Sequence, residues 1–493
     1  MLELAFHPDR NGDRPIYRQL AEYLRELIAT GRLLPGEKLP ATRGLATSTG
    51  IGRNTANLAY QTLVDEGVLL AHVGQGTFVS GAGLRTVALV HAPRRAFVWD
   101  GLFSRSARIP LLAGLRPTPL GAVRFDFRGG RVDAEALPVR ELQRAYRHLI
   151  AGGFPAIAND ADPLGYAPLR QQIARSLLTR GIRCDPTDVI VTSGAQQALD
   201  LIVRVLIDPG DAVAIEQPGY FGAALSCRNA GADLVGIDVD SDGLRTDELA
   251  RALRSQRIKL IYTTPAAQMP TGVVMSDARR QALLELADQT QTPIVEDDYD
   301  SEFRYENPPL PALKTQDTAG QVIYVGTFSK ATFPGLRLGY AVVARPLLAK
   351  LAVARFGASF GPDGLTQAVV ANMLESGAFE RHVRRLRKRY EERRAVLIAA
   401  LRLSMPDGTT WSEPRGGLLL WVTLPDGADA IAIDAEAREA GIAYMPGIGC
   451  YLDARGQDKL ALSFANQSPT AIEKGIAQLG EIIGRHLATP RSA

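Results

Sequence analysis

The sequence predicts an α/β protein preceded by a small helical unit with a β-hairpin, and three observations predict it. From about Arg124 to the end, short apolar runs alternate with helical stretches, the pattern of a sheet buried on both faces. The first eighty residues instead space their apolar positions as helices do and finish on two short strand signals. Within the α/β part, the stretch GTFSKATFPGLRLGY (Gly326–Tyr340) places an amine, two hydroxyls and a guanidinium just past a strand signal, where ligands collect on such sheets.

At 493 residues, 46% apolar and 22% charged, the chain has the balance of a globular protein with two or three domains. No charged segment followed by an apolar run opens it, and no apolar run reaches the ~18 residues of a spanning helix; a cytoplasmic location is expected. Cys184, Cys227 and Cys450 are odd in number and far apart, which argues against a disulfide framework and against a thiolate metal site.

Residues 1–80 read as one unit. Ile16, Leu20, Tyr23, Leu24, Leu27 and Ile28 recur at helical spacing, and Gly31 closes that helix. A second helix is expected over about Thr42–Gly50 and a third over about Asn54–Gly67, so only a few residues separate them, which is helix-turn-helix spacing. VLLAHVGQGTFV then gives two strands around a Gly74–Gly76 turn, a wing. Arg43, Arg53, Asn54 and Thr55 stand at or near the N-termini of the second and third helices, and Gly76 in the wing. Side chains and amides there can meet phosphates and base edges of DNA, the favoured reading; three helices on a hairpin could also dock a protein. Net charge does not decide, because the unit carries eight Lys/Arg and eight Asp/Glu. The next segment, 81–123, is rich in Pro, Gly and Arg and reads as a linker. Its arginines either add phosphate contacts or belong to a solvated tether.

Residues 124–493 form the α/β body. Strands are expected at Val189–Gly194, Ala212–Tyr220, Leu234–Asp240, Leu260–Pro265, Pro293–Asp300, Gln321–Val325 and Leu338–Ala344. A smaller α+β lobe follows, with WSEPRGGLLLWV, KLALSF and a helix opening at Ser468-Pro469. In ERHVRRLRKRYEERR the basic run coincides with an apolar stripe, Val383, Leu386, Tyr390 and Leu397, so its charges read as a solvated helix face.

The chemistry gathers around Lys330. Desolvation lowers an amine's pKa, and a neutral amine condenses with an aldehyde. Thr327, Ser329 and Arg337 supply the donors for a phosphate. An aldehyde and a phosphate together suggest pyridoxal 5'-phosphate. In VEDDYD the period of two puts Asp297 and Tyr299 on one face, where an aspartate can protonate a pyridine nitrogen and a tyrosine can hold a phenolic oxygen. The acids of this stretch could instead form a hard-cation site, although nothing supplies further ligands at cage spacing; no metal is expected. In TSGAQQAL the turn at Gly194 leads from strand to helix and leaves the Ala195 and Gln196 amides for an anion. Tyr220, in EQPGY, is an aromatic at a strand end that can stack on a ring.

LLPGEKLPATRGLATSTGIGRNTANLAYQTLVDEGVLLAHVGQGTFV resembles the winged helix-turn-helix of the GntR family of bacterial transcription regulators. Thr49 stands where a leucine is common, and Gly52 where a serine often contacts phosphate. The SGAQQAL, EDDYDSEF and FSK…PGLRLGY segments resemble the fold-type I aminotransferases, a large mostly parallel α/β sheet domain with a smaller α+β C-terminal lobe. The two together resemble the MocR subfamily. The resemblance implies Lys330 as the Schiff-base lysine, Asp297 as partner of the pyridine nitrogen and Tyr299 of the phenolic oxygen. Thr327, Ser329, Arg337 and the Ala195 and Gln196 amides would form the phosphate site, with Tyr220 stacking on the ring. It also implies a head-to-tail homodimer that binds operator DNA and senses an amino compound or pyridoxal phosphate itself.

Three departures bear on activity: Ala461 stands where an arginine commonly grips the substrate α-carboxylate, Asp160 where a tyrosine commonly reaches the partner's phosphate, and Ala267 and Met269 interrupt a His-Gln-aromatic-Pro-Thr-Gly run. Weak or absent transamination is therefore expected, against the alternative of a true aminotransferase with an accessory DNA-binding domain, in which Arg415 would have taken over the carboxylate.

Overall fold

A computed structural model describes residues 6–488 except 11, 73, 81–98, 100–101, 105, 109–122, 154–156, 158–161, 301, 306–310, 362 and 454. The chain divides into two compact units, Met1–Gly101 and Leu102–Ala493. Most of the expected linker 81–123, and Asp160, lie outside the described residues.

In the first unit, α1 (Ile16–Ala29), α2 (Thr42–Thr49) and α3 (Arg53–Asp65) enclose a core of their own that includes Leu20, Leu24, Leu45, Ala56, Ala59 and Leu63. Gly50, left-handed at φ 64°, ends α2, and α3 starts three residues later. Thr49 is buried; its hydroxyl donates to the Leu45 carbonyl at 2.6 Å, so a polar residue is accommodated where leucine is common. Strands β1 (Leu69–His72) and β2 (Gly76–Val79) form the antiparallel wing. Lys38 bridges to Phe78 on its other side. Gly76 lies at φ 115°, a backbone conformation that residues with a side chain rarely adopt, so the wing needs glycine there.

The second unit is built on an eight-stranded sheet of β4 (Val189–Thr192), β5 (Ala212–Gln217), β6 (Asp233–Asp240), β7 (Gly243–Leu244), β8 (Ile258–Thr263), β9 (Ile294–Asp298), β10 (Val322–Thr327) and β11 (Gly339–Val342), in the order β4-β11-β10-β9-β8-β5-β6-β7. The run from β6 through β5, β8 and β9 to β10 is parallel, but β11 is antiparallel to both β10 and β4, and β7 to β6. The sheet is therefore mixed. Strand periodicity carries no direction, and the reversal follows from the short Phe328–Leu338 connection, which leaves no room for a crossover. Helices cover both faces, and two apolar clusters lie across the sheet from each other: one includes Leu199, Ile202, Val213 and Ile323, the other Ala214, Ile261, Leu283 and Val322.

The lobe carries a second sheet, β12 (Thr410–Trp411), β13 (Leu419–Thr423), β15 (Met445–Pro446) and β16 (Lys459–Ser463), in the order β12-β13-β16-β15. The short strand β3 (Phe125–Asp126) pairs with β14 (Ile442–Ala443), tying the start of the body to the lobe. The helix Ala378–Ser404 buries Val383, Leu386, Tyr390 and Leu397, the stripe that its sequence presents.

Candidate functional site

The C-terminal ends of β9 and β10 and the two connections that flank β11 open onto a cavity of about 230 Å³. Ala195, Gln196, Tyr220, Asp297, Tyr299, Thr327, Ser329, Lys330 and Arg337 all line it, so the structure brings together the nine residues singled out in the body. Gly129, Gly130, Arg131, Gly194, Phe221, Met269, Leu418, Leu419, Met445 and Ser463 complete the wall.

Each group arrives by a local rule. Lys330 lies four residues beyond the last residue paired between β9 and β10, Gly326 with Asp298. Burial holds its amine below the ordinary lysine range, while Asp300 and Asp297 act in the opposite sense. Thr327 ends β10; its hydroxyl donates to the Leu338 carbonyl at 3.2 Å and accepts from the Ser329 amide at 3.2 Å. Arg337, left-handed at φ 50°, donates to the Ser193 carbonyl at 3.1 Å. That contact holds its guanidinium beside the N-terminus of the helix Ala195–Leu206, whose first amides have no partner within the helix. Gly339 makes the approach possible, since a Cβ there would meet Gly194 and the Ala195 nitrogen at 2.7–2.8 Å.

On the opposite side Asp297 is 3% exposed. Its Oδ2 accepts from the Tyr262 hydroxyl at 2.8 Å, whereas Oδ1 is buried with no hydrogen-bond partner. Burial pushes its carboxyl up to about 7, with the Tyr262 bond acting against this. The neighbouring acids have other employment: Glu296 accepts from the Leu313 and Lys314 amides, and Asp298 from Arg180 and Tyr324. Burial, with Asp300 and Asp297 nearby, raises the Tyr299 hydroxyl well above the usual range. Tyr220 donates to Gln196 Oε1 at 3.0 Å, and its own pKa is pushed up to about 12 by burial.

These residues fit pyridoxal phosphate. An unpartnered buried carboxylate oxygen needs an N–H donor, a desolvated amine suits an aldehyde, and hydroxyls, a guanidinium and a helix N-terminus suit a phosphate. Where an α-carboxylate grip would be expected, β16 presents Ala461, fully buried opposite Trp421 on β13 and packed with Cys450, Met445 and Tyr451. No guanidinium is offered at that position of the strand. Arg415 is absent from the cavity wall; Arg131, which sequence reasoning missed, is part of it. Met269 also lines the cavity, while Ala267 is buried.

In the N-terminal unit, Arg43, Arg53 and Asn54 are exposed and Thr55 is half-buried. Arg53 is the first residue of α3, and Arg43 the second of α2. A shallow concavity lined by Thr42, Asn54, Asn57, Gln61, Ala71 and Thr77 runs between α3 and the wing. Asn57 and Gln61 join the earlier candidates because they continue the exposed face of α3.

Together, fold and cavity define a regulator-like chain: a winged helix-turn-helix head on a body of the kind that uses pyridoxal phosphate. Residues 131–479 match the family model for aminotransferase class I and II, and residues 16–79 that for bacterial regulatory proteins of the gntR family. The chain is 35% identical over 481 residues to the probable rhizopine catabolism regulatory protein MocR of Rhizobium meliloti, covering 96% of this chain and 94% of that protein. It is 33% identical to aromatic-amino-acid aminotransferase 1 of Thermococcus litoralis, over 72% of this chain and 87% of that one. Among solved structures, LysN, the α-aminoadipate aminotransferase of Thermus thermophilus, complexed with N-(5'-phosphopyridoxyl)-L-leucine, superposes with a TM-score of 0.73 at 30% identity, covering 80% of this chain and all of that one. The chain belongs to the MocR-type regulators, in which a gntR-type head is fused to an aminotransferase class I and II body. That body implies pyridoxal 5'-phosphate as cofactor.

Proposed function

We propose that this protein is a DNA-binding transcription regulator whose body holds pyridoxal phosphate on Lys330 and senses an amino compound or the cofactor itself. The observation that carries this reading is the buried Asp297 Oδ1 without a partner, in the same cavity as a desolvated lysine and a helix N-terminus. When bound, the cofactor supplies an aldehyde that captures amines and a ring that draws electrons from them. Lys330 would give up its amine to the aldehyde; Asp297 would hold a proton at the ring nitrogen, Tyr299 the phenolic oxygen. Thr327, Ser329, Arg337 and the Ala195 and Gln196 amides would hold the phosphate, and Tyr220 would cover the ring. In the head, Arg43, Arg53, Asn54, Thr55 and Gly76 would face operator DNA. Support for a regulatory rather than catalytic body comes from Ala461, because transaminases depend on fixing the substrate carboxylate, and Ala461 is a buried alanine in an apolar cluster. A head-to-tail homodimer in the cytoplasm completes the reading.

The test has two arms. Borohydride reduction followed by tryptic mass analysis is expected to place the cofactor on the peptide containing Lys330, and Lys330→Ala to abolish the adduct. Footprinting on the DNA flanking the protein's own gene is expected to show salt-sensitive, sequence-selective binding. Brisk keto-acid formation from a common α-amino acid without selective DNA binding would favour the enzyme.

A further inference from the structure

A second concavity of the body, a groove of about 570 Å³, runs between the segment 134–141 and the helix Ala378–Ser404, with Leu137, Arg140, Glu141, His382, Arg385 and Arg389 among its walls. It shares no wall residue with the cavity around Lys330. His382 is 2% exposed, and its Nε2 is buried without a hydrogen-bond partner. The ring bonds to the backbone of Ala331, one residue past Lys330; that bond falls to Nδ1, since Nε2 has none. A carbonyl at Nδ1 fixes the ring proton there and leaves Nε2 as an acceptor. Burial, with Arg385 acting in the same sense, holds the imidazole below its ordinary range and so neutral, although Glu141 and the Ala331 bond act against this. A buried acceptor without a donor is a cost that a bound donor removes. The walls add charge. Arg385 pairs with Glu141 at 2.6 Å, and Arg389 with Asp133 at 3.1 Å and Glu135 at 3.7 Å, but Asp133 also serves Arg393 at 2.7 Å. Arg140 pairs with no acid among the described residues. Four guanidiniums thus share three carboxylates, and the charge left over draws anions into the groove.

We propose that this groove is a second ligand site, for a small acid that also carries an O–H donor: hydrogen phosphate or a short hydroxycarboxylate. The acid goes to Arg140 and its neighbouring guanidiniums, and the O–H donates to His382 Nε2. The occupant is felt at Lys330. His382 holds the backbone of the next residue, and the segment 134–141 runs on from Gly129, Gly130 and Arg131, which line the cofactor cavity. Asp133, tied to Arg389 and Arg393, anchors the join between the two. The site stands on the groove's own residues and does not depend on what the Lys330 cavity senses.

The experiment uses the full-length protein loaded with pyridoxal phosphate, its occupancy read from the absorption spectrum before any acid is added. Inorganic phosphate is titrated beside sulfate, and glycolate beside acetate, at equal ionic strength. The first member of each pair carries an O–H and the second lacks it. By calorimetry, phosphate or glycolate is expected to bind the wild-type protein about fivefold to tenfold more tightly than its counterpart, the range of one hydrogen bond. The pair that shows the preference tells the phosphate from the hydroxycarboxylate. His382→Phe, which keeps a ring and loses the acceptor, should erase the preference. Arg140→Gln, at an exposed position, should weaken both members of the pair about tenfold or more, and it decides the matter should His382→Phe fail to fold. The cofactor's absorption band should shift as the wild-type groove fills. No binding of any of the four acids, equal affinity within both pairs, a preference that survives in His382→Phe, or affinities untouched by Arg140→Gln would overturn the site. Binding that leaves the absorption band in place would overturn its link to Lys330. Failure to take up pyridoxal phosphate would instead sink the proposed function; it shows before the titration begins, and the glycolate pair with Arg140→Gln then still tests the groove.

Discussion

Asp297 shows at the scale of one residue how a binding site is kept at the expense of stability. Its carboxyl, pushed up to about 7 by burial, stands above the ~3.9 of an unfolded aspartate. The stability tied to that proton is therefore complete below the unfolded value and is lost as the pH rises through about 7. For this group, cofactor-free protein is expected to unfold more easily at about pH 8 than at about pH 5. Asp297→Asn, which keeps an acceptor for Tyr262 and removes the charge, should raise the unfolding free energy at the higher pH by roughly 1–3 kcal/mol and flatten the slope. The same change should cost the protein its cofactor. Denaturation at the two pH values, with and without pyridoxal phosphate, checks both halves; a variant less stable at high pH would contradict the account. Of the cavity's residues, those with a chemical signature of their own, Lys330 after a strand and Asp297 alternating with Tyr299, were legible in the sequence. Arg131 was not, because an arginine after two glycines announces nothing until the fold sets it beside Lys330.

At the scale of elements, α3 and the wing make the second prediction. Arg53 opens α3, is exposed and pairs with no acid among the described residues, so Arg53→Ala should leave the fold intact. Operator binding should weaken by ~1–3 kcal/mol if it reads a base, while cofactor binding stays unchanged. Gel shift and spectral titration of the same preparation test this; undiminished DNA affinity would move the reading face elsewhere. Gly76→Ala is expected to destabilise the head by about 1 kcal/mol or more, visible in its thermal unfolding, because its backbone angle of φ 115° strains any residue with a side chain. The helices and wing were legible because capping glycines and apolar spacing act locally. The sheet was legible as strands but not as directions. Two-residue strands such as β3 have no periodicity to read, and the reversal of β11 lies in the length of a connection rather than in any residue of the strand.

At the scale of the whole molecule, head and body each possess an apolar core. Calorimetry on the full chain is accordingly expected to show two transitions, with pyridoxal phosphate raising only the one that belongs to the body; a single transition shifted as a unit would show that the two are energetically one. The packing behind Ala461 has a consequence for any attempt to restore a carboxylate grip there. An arginine introduced at 461 would be driven into Trp421 and Cys450, an overpacked core. Removing Trp421 first would leave a hole costing ~3–5 kcal/mol. Either change alone therefore gives a poorly packed lobe. The lobe thus resists a simple return: a grip on amino acids cannot be restored at 461 by one substitution, because the neighbours that bury the alanine must give way at the same time.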